Sequence, residues 1–189
     1  EVEMTGEDET INEAMIELFK MLALALVFMY LIMVAQFQSL RSPFIIMFTV
    51  PLAFTGGLLA LWIADMPVSV IAMIGFVMLS GIIVNNGIVF IDYTNQLIAE
   101  GRSKKAALVE AGKTRLRPIV MTALTTILGL CTMAVGVGMG SDMVQPMAVV
   151  TIGGLIYGTI LTLIVVPCIF DLFHRKEKAR LREGIEKDD

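Results

Sequence analysis

The sequence predicts an all-α membrane protein, a five-helix transmembrane bundle that is one part of a longer chain. Three observations support this prediction. The 189 residues are 57% hydrophobic and only 17% charged, whereas soluble domains are about 45–50% apolar and about 25% charged. The charges are gathered in a few places and leave five long uncharged runs between them. The segment before the first run is acidic, and no initiator methionine or signal-peptide pattern precedes it.

The five uncharged runs are each long enough to cross a membrane as a helix. At about 1.5 Å per residue, a run of roughly 20 residues spans a hydrocarbon core of about 30 Å. Backbone groups in lipid need internal hydrogen bonds, so helices are expected. A membrane β-barrel would need alternating apolar and polar residues, which the runs lack. The predicted spans are 21–40, 42–64, 66–91, 118–141 and 143–170.

The basic residues predict the orientation of the spans. All lysines and arginines except Lys20 lie at Arg41, in the segment 102–117 or in the tail 175–187. With five spans, these three places fall on one side of the membrane, and the bias of Lys and Arg toward the cytoplasm makes that side the inside. The acidic start, 1–17, is then outside.

Local signals define the individual helices. The first helix is expected to begin near Asn12 and to continue into the membrane. Pro51 should kink the second span. Ser103 is a plausible N-cap and Gly112 a plausible C-terminal stop, which predicts a short amphipathic helix near 103–111 on the inner membrane surface. A solvated linker helix remains an alternative for this segment. In the last span, Gly154 and Gly158 have the GxxxG spacing of close helix packing.

Two adjacent asparagines interrupt the third span in the stretch GIIVNNGIVFID, residues 81–92. Asn85 lies about 10 Å inward of the span's midpoint, too deep for a short side chain to reach the head groups. Asn85 and Asp92 are seven residues apart and share one helix face, while Asn86 and Tyr93 share the adjacent face. Polar groups in membrane helices usually face the bundle interior and mark proton or ion paths.

The fourth span offers possible partners for these asparagines. Arg115 and Thr122 are also seven residues apart, and Arg117 stands beside them. Cations at a helix N-terminus oppose the helix dipole by about 0.3–1 kcal/mol each, so a compensating group is expected. Two interpretations remain open on these grounds. The asparagines are packing amides and the arginines topology anchors, or Asn85 and Arg115 belong to a polar proton or ion path.

Neither an enzyme nor a metal or cofactor site is indicated by the residues. Cys131 and Cys168 fall inside predicted spans, where a buried thiol is favoured over a disulfide or a metal ligand. The 14 methionines are scattered, which favours apolar filler over a metal relay. No CxxC or His/Cys cluster, nucleophile–base pair or phosphate-binding loop is present. Nothing suggests nucleic-acid binding.

Three long stretches resemble the C-terminal membrane half of resistance–nodulation–division (RND) efflux transporters, closest to the hydrophobe/amphiphile, acriflavine-resistance-like multidrug branch. The resemblance runs in order from about Asn12 to Phe173. The stretches are GIIVNNGIVFIDYTNQL, ALVEAGKTRLRPIVMTALTTILGL and PMAVVTIGGLIYGTILTLIVVPCIFDLF.

This resemblance implies helices eight to twelve of a twelve-helix transporter. Residues 1–13 would end an outer (periplasmic or extracellular) domain, 14–173 would form the transmembrane domain, and 174–189 a charged cytoplasmic tail. The implied function is proton antiport of drugs or other amphiphilic solutes across the bacterial inner membrane. A lipid- or metal-exporting relative and a non-transporting scaffold or assembly subunit are the alternatives. Implied partners are the missing N-terminal half, two further copies in a homotrimer, a periplasmic adaptor protein and an outer-membrane channel.

The resemblance also implies a proton relay. Its positions fall on Asn85, Arg115 and Thr122, and we add the neighbouring Asn86 and Asp92 as candidates. The acidic partners of this relay would lie in helix four, outside this chain. The best-known drug pumps carry a lysine where this sequence has Asn85. An amide can only hydrogen-bond to a carboxylate, whereas lysine favours its ionised form, so we expect Arg115 to carry more of the counter-charge here.

Overall fold

The computed structural model describes residues 2–136 and 140–185 and contains six helices in this part of the chain. No β-strand occurs among the described residues, and five helical segments are long and apolar enough to cross a membrane. The predicted fold class, an all-α five-helix transmembrane bundle, is therefore confirmed. The helices are α1 (Val2–Phe37), α2 (Arg41–Met47), α3 (Thr49–Ile63), α4 (Val70–Ala99), α5 (Lys104–Ala134) and α6 (Ser141–Ile185).

The second span consists of two helices, because α2 ends at Met47 and α3 begins at Thr49. Pro51 explains this break, since its ring lacks an N–H and clashes with the carbonyl of the residue four positions earlier, which is Met47. The break lies one turn before Pro51, where a kink was predicted. The turn after α3 is tight, with Asp65 at φ +53° and the Met66 N–H donating to the Leu61 carbonyl.

Two helix boundaries differ from the sequence-based expectation. The first helix begins at Val2, ten residues before Asn12. Ser103 does cap α5, and its hydroxyl accepts from the Ala106 N–H at 3.4 Å. The predicted stop at Gly112 is wrong, because α5 continues through Gly112 and Pro118 to Ala134. Ala107, Leu108 and Ala111 are buried, so packing against neighbouring helices keeps this segment in line with the fourth span.

Helix α6 lies at the centre of the bundle and contacts α3, α4 and α5. Small residues allow its close approach to two of them. A Cβ at Gly158 would lie 2.8 Å from the Ala53 Cβ on α3 and 2.7 Å from the Ile83 Cδ1 on α4. A Cβ at Gly154 would collide with Leu79 on α4. These two glycines therefore lie where α6 meets α3 and α4.

The apolar core divides into two clusters of buried side chains, which follow one another along the helices. We call them the first and second core clusters. The first includes Met33, Ile45, Ile46, Val50, Val84, Phe90, Ile91, Leu97, Ala107, Leu108, Ala111, Ile119, Val166 and Phe170. The second includes Leu22, Ala53, Leu61, Ala72, Met73, Phe76, Leu79, Ile83, Ala123, Val150 and Leu155.

Helices α1 and α5 contribute little to this core. Only 11% of the most apolar window of each is buried, against 44–56% for the other three spans. Both helices therefore present large apolar surfaces to lipid or to further protein. Examples are Ile32, Met121 and Leu128.

Cys131 and Cys168 are both free, and Cys168 is exposed in this chain where a buried thiol was predicted. In the predicted tail, helix α6 extends to Ile185, and residues 186–189 lie outside the described part.

Candidate functional site

The candidate site lies on the helical hairpin formed by α4 and α5. Helix α4 ends at Ala99, and Gly101 adopts φ +90°, which the following turn requires. The Arg102 guanidinium pairs with the Glu110 carboxylate at 2.6 Å across the turn. Because the turn is short, α4 and α5 run antiparallel and pack side by side.

Arg115 of α5 lies over the aromatic ring of Tyr93 on α4. The guanidinium carbon is 4.5 Å from the ring centroid, which is a cation–π contact. The Nε atom of Arg115 is buried and has no hydrogen-bond partner within the described residues. The guanidinium therefore rests on the aromatic ring, while its Nε–H group lacks a hydrogen-bond acceptor.

The two adjacent asparagines point to different environments. Asn85 is exposed in this chain, whereas Asn86 is buried in the bundle with 4% of its surface accessible. Successive residues on a helix differ by about 100° in direction, so the two amides cannot face the same neighbour. Asn85 is thus open to a group from outside this chain, and Asn86 faces the interior.

Helix spacing places Thr122 at about the level of the asparagines, and no hydrogen bond joins it to them within the described residues. Asn86 precedes Tyr93 by seven residues and Thr122 follows Arg115 by seven, which is about 10.5 Å along each of two antiparallel helices. The Thr122 hydroxyl donates to the Pro118 carbonyl at 2.9 Å, and the side chain is exposed. Thr122 is therefore exposed in this chain, as Asn85 is.

Asp92 is half-buried about two turns beyond Asn85 and accepts a hydrogen bond from the Gln96 side chain at 2.9 Å. This pairing stays within α4, so the structure does not bring Asp92 into contact with Arg115. Tyr93 was not among the predicted site residues. Its place on the Asn86 face, next to a helix that carries two arginines, was the signal in the sequence that could have identified it.

The polar groups of the site are hydrogen-bonding amides, a hydroxyl and one guanidinium. Within the described residues, no group of three or more His, Cys, Asp or Glu side chains could hold a metal ion. The arrangement is suited to receiving a carboxylate from another part of the protein.

Comparison with known proteins identifies the family. A family model described as the AcrB/AcrD/AcrF family matches residues 1–174 of the chain. The chain belongs to this family. The AcrB/AcrD/AcrF family consists of RND efflux transporters, so the predicted relationship is confirmed, while the branch within the family is not resolved.

Relatives with curated names include both metal-resistance proteins and a motility protein. The chain is 38% identical over 173 residues to the cobalt-zinc-cadmium resistance protein CzcA of Cupriavidus metallidurans, covering 92% of this chain and 16% of the relative. It is also 38% identical over 180 residues to the swarming motility protein SwrC of Bacillus subtilis, covering 95% of this chain and 17% of the relative. The chain thus spans about one sixth of the length of these AcrB/AcrD/AcrF relatives.

A solved structure has the same arrangement of helices. The crystal structure of a heavy metal efflux pump matches with a TM-score of 0.80 and 37% identity, covering 88% of this chain and 17% of the other. This AcrB/AcrD/AcrF family segment is a multi-pass membrane unit of a transporter family.

Proposed function

We propose that this chain is the C-terminal membrane half of a proton-coupled secondary exporter. Asn85, Arg115 and Thr122 would respond to a carboxylate that gains and loses a proton, and that carboxylate would come from the N-terminal half of the transporter. Asn86 and Asp92 would flank this relay. Protonation of the carboxylate would change its attraction to Arg115, and the helices would move in response.

The main support for the proposal is the environment of the Arg115 side chain. Its Nε is buried and unpartnered, and its guanidinium rests on the Tyr93 ring. Burying a charged donor without an acceptor costs more free energy than a neutral hydrogen bond returns. A carboxylate from the N-terminal half that reaches Arg115 would provide the acceptor. Fixed donors around it would favour its ionised form without requiring a lysine at position 85.

Membership of the family supports a proposal for the setting of the complete protein. We propose that residues 1–13 lead from an outer domain, that 14–173 form the membrane domain, and that 174–189 are a cytoplasmic tail. The exporter would lie in the bacterial inner membrane as a homotrimer, with a periplasmic adaptor and an outer-membrane channel as partners. The exposed apolar faces of α1 and α5 would be covered by the N-terminal half and by lipid.

The cargo has two candidate classes. Drugs and other amphiphilic solutes are the first, as the sequence resemblance suggests. Divalent heavy-metal cations are the second, and the names of relatives such as CzcA and the nickel-cobalt-cadmium resistance protein NccA of Alcaligenes xylosoxydans xylosoxydans favour them. The described residues of this half hold no cluster of metal-ligating side chains. In either case, the cargo site would lie outside this chain.

Replacing Arg115 with Ala in the complete transporter tests the relay. We expect proton-driven export from proteoliposomes to fall roughly tenfold or more, which corresponds to about 1.4 kcal/mol of lost stabilisation. Arg117→Ala is the matched control, because Arg117 lies two residues away and is exposed. Unchanged export by the Arg115 variant at wild-type protein levels would refute the relay.

The cargo is tested separately by gene deletion and complementation in the source cell. Susceptibility to cobalt, zinc, cadmium and nickel salts and to a panel of amphiphilic drugs would be measured in parallel. If the deletion strain becomes sensitive to the metal salts alone, heavy-metal cations are favoured as the cargo. If it becomes sensitive to the drugs alone, amphiphilic solutes are favoured.

A further inference from the structure

A small buried polar layer lies near the boundary between the two core clusters, and it is distinct from the open face that carries Asn85. On α6, Leu155 belongs to the second core cluster and Val166 to the first, with Thr159 and Thr162 between them. Both threonines are buried, with 7% and 2% of their surfaces accessible. The two threonines are three residues apart, so the polar segment of α6 covers about one helical turn.

Asn86 lies in the same layer on α4. Leu79 packs against Gly154 and Ile83 against Gly158, so α4 and α6 run parallel with a constant offset. The offset is 75 residues in both pairs, and its continuation places Asn86 level with Leu161, between Thr159 and Thr162 along α6. On α4, the second cluster ends at Ile83 and the first begins at Val84, two residues before Asn86. The layer thus extends across the interface between α4 and α6.

The polar atoms of this layer lack partners in the protein. The Asn86 Nδ2 and the hydroxyl oxygens of Thr159 and Thr162 are buried and form no hydrogen bond within the described residues. Many other threonines in the described helices donate their hydroxyl hydrogens to a carbonyl of their own helix. These are Thr10, Thr49, Thr55, Thr94, Thr122, Thr125, Thr126, Thr132 and Thr151. The buried hydroxyls of Thr159 and Thr162 form no such bond.

We propose that one ordered water molecule binds between α4 and α6 and bridges the Asn86 amide to the hydroxyls of Thr159 and Thr162. A buried water typically makes two to four hydrogen bonds to groups that are otherwise unsatisfied, and this layer supplies three. The Asn86 Nδ2 is a donor, so the ligand must accept a hydrogen bond. A cation cannot accept one, whereas a neutral water molecule can accept from the amide and form hydrogen bonds with both hydroxyls at no cost of burying a charge.

This site does not depend on the proposed function. It lies on the Asn86 side of α4, and it would hold its water whether or not Arg115 takes part in proton transfer. Failure of the Arg115→Ala experiment would leave the water site standing, and loss of the water site would leave the relay standing.

The substitution Thr162→Val decides between a hydrated and a dry layer by the sign of its effect. Valine has nearly the shape of threonine but no hydroxyl. If water is bound, the change breaks a bridge and lowers the melting temperature of the complete membrane protein. If the layer is dry, the change removes an unsatisfied hydroxyl from the core and raises the melting temperature. Thr94→Val is the matched control, because Thr94 is fully buried and its hydroxyl donates to the Phe90 carbonyl.

We expect Thr162→Val and Thr159→Val each to lower the melting temperature by more than Thr94→Val does. A rise, or a fall no larger than that of the control, would overturn the proposal. High-resolution cryo-electron microscopy of the unmodified protein gives a second readout, in which a water peak within hydrogen-bonding distance of Asn86 and Thr162 is expected. Empty density there, or a stabilisation by sodium over potassium that Thr162→Val removes, would also overturn it.

Discussion

The contact between Tyr93 and Arg115 allows the proposed relay to be tested without removing a charge. The guanidinium carbon lies 4.5 Å from the ring centroid, and Arg115 is half-buried. A cation–π contact contributes about 0.5–1 kcal/mol at exposed sites and about 2 kcal/mol when desolvated. If that energy holds Arg115 in position for the carboxylate, Tyr93→Leu should slow proton-driven export by roughly 2- to 30-fold. Tyr93→Phe keeps the ring face and should remain close to the wild type.

The assay is the initial rate of export from proteoliposomes at a fixed pH gradient, compared at equal protein incorporation. A double variant is needed to show that Tyr93 acts through Arg115. In a background of Arg115→Ala, the further change Tyr93→Leu should cost nothing more, because the contact is already absent. Equal rates for the Phe and Leu variants would refute the role of the ring. A full additional loss in the double variant would show that Tyr93 acts by another route.

Two further predictions concern the counter-charge and the packing of α6. Adding Asn85→Lys to the Arg115→Ala variant should restore part of the lost export, because a lysine beside the same carboxylate supplies a positive charge. The same proteoliposome assay measures the recovery. No recovery would mean that Asn85 does not face the carboxylate. Gly158→Ala should destabilise the protein by about 1–3 kcal/mol because its Cβ would lie 2.8 Å from the Ala53 Cβ. Gly81→Ala, where nothing lies within 4 Å, is its control and should be neutral or slightly stabilising. Thermal denaturation followed by size-exclusion chromatography measures both glycine variants, and equal melting temperatures would contradict the packing.

The spans could be predicted from the sequence because a membrane imposes a length and a composition that each helix must meet on its own. The break in the second span could be predicted for a similar reason, since the effect of Pro51 on the carbonyl of Met47 is local. The continuation of α5 through Gly112, where an end was predicted, could not be foreseen in this way. Glycine permits a helix to stop but does not force it to, and the burial of Ala107 and Ala111 favours a continuous helix.

The orientation of the polar groups could be predicted only in part. Spacing shows which residues share a face of α4, but it does not show which neighbour that face meets. Asn85 and Asn86 were assigned together to one relay, yet one is exposed and the other is buried against the core. The contact of Arg115 with Tyr93 and the unpartnered threonines of α6 depend on the register between helices, which is a property of tertiary packing.

The packing of α4 on α6 determines how a change at Asn85 could be transmitted. Leu79 and Ile83 fit against Gly154 and Gly158, where even one added carbon atom would collide. Rotation of α4 about its own axis would move these side chains out of their places and carry the Asn86 amide away from α6. Interfaces packed this tightly deform in discrete steps and not continuously. A carboxylate that pulls on Asn85 and Arg115 would therefore shift α4 as a rigid body together with α6, and the buried polar layer at Asn86 would move with both helices.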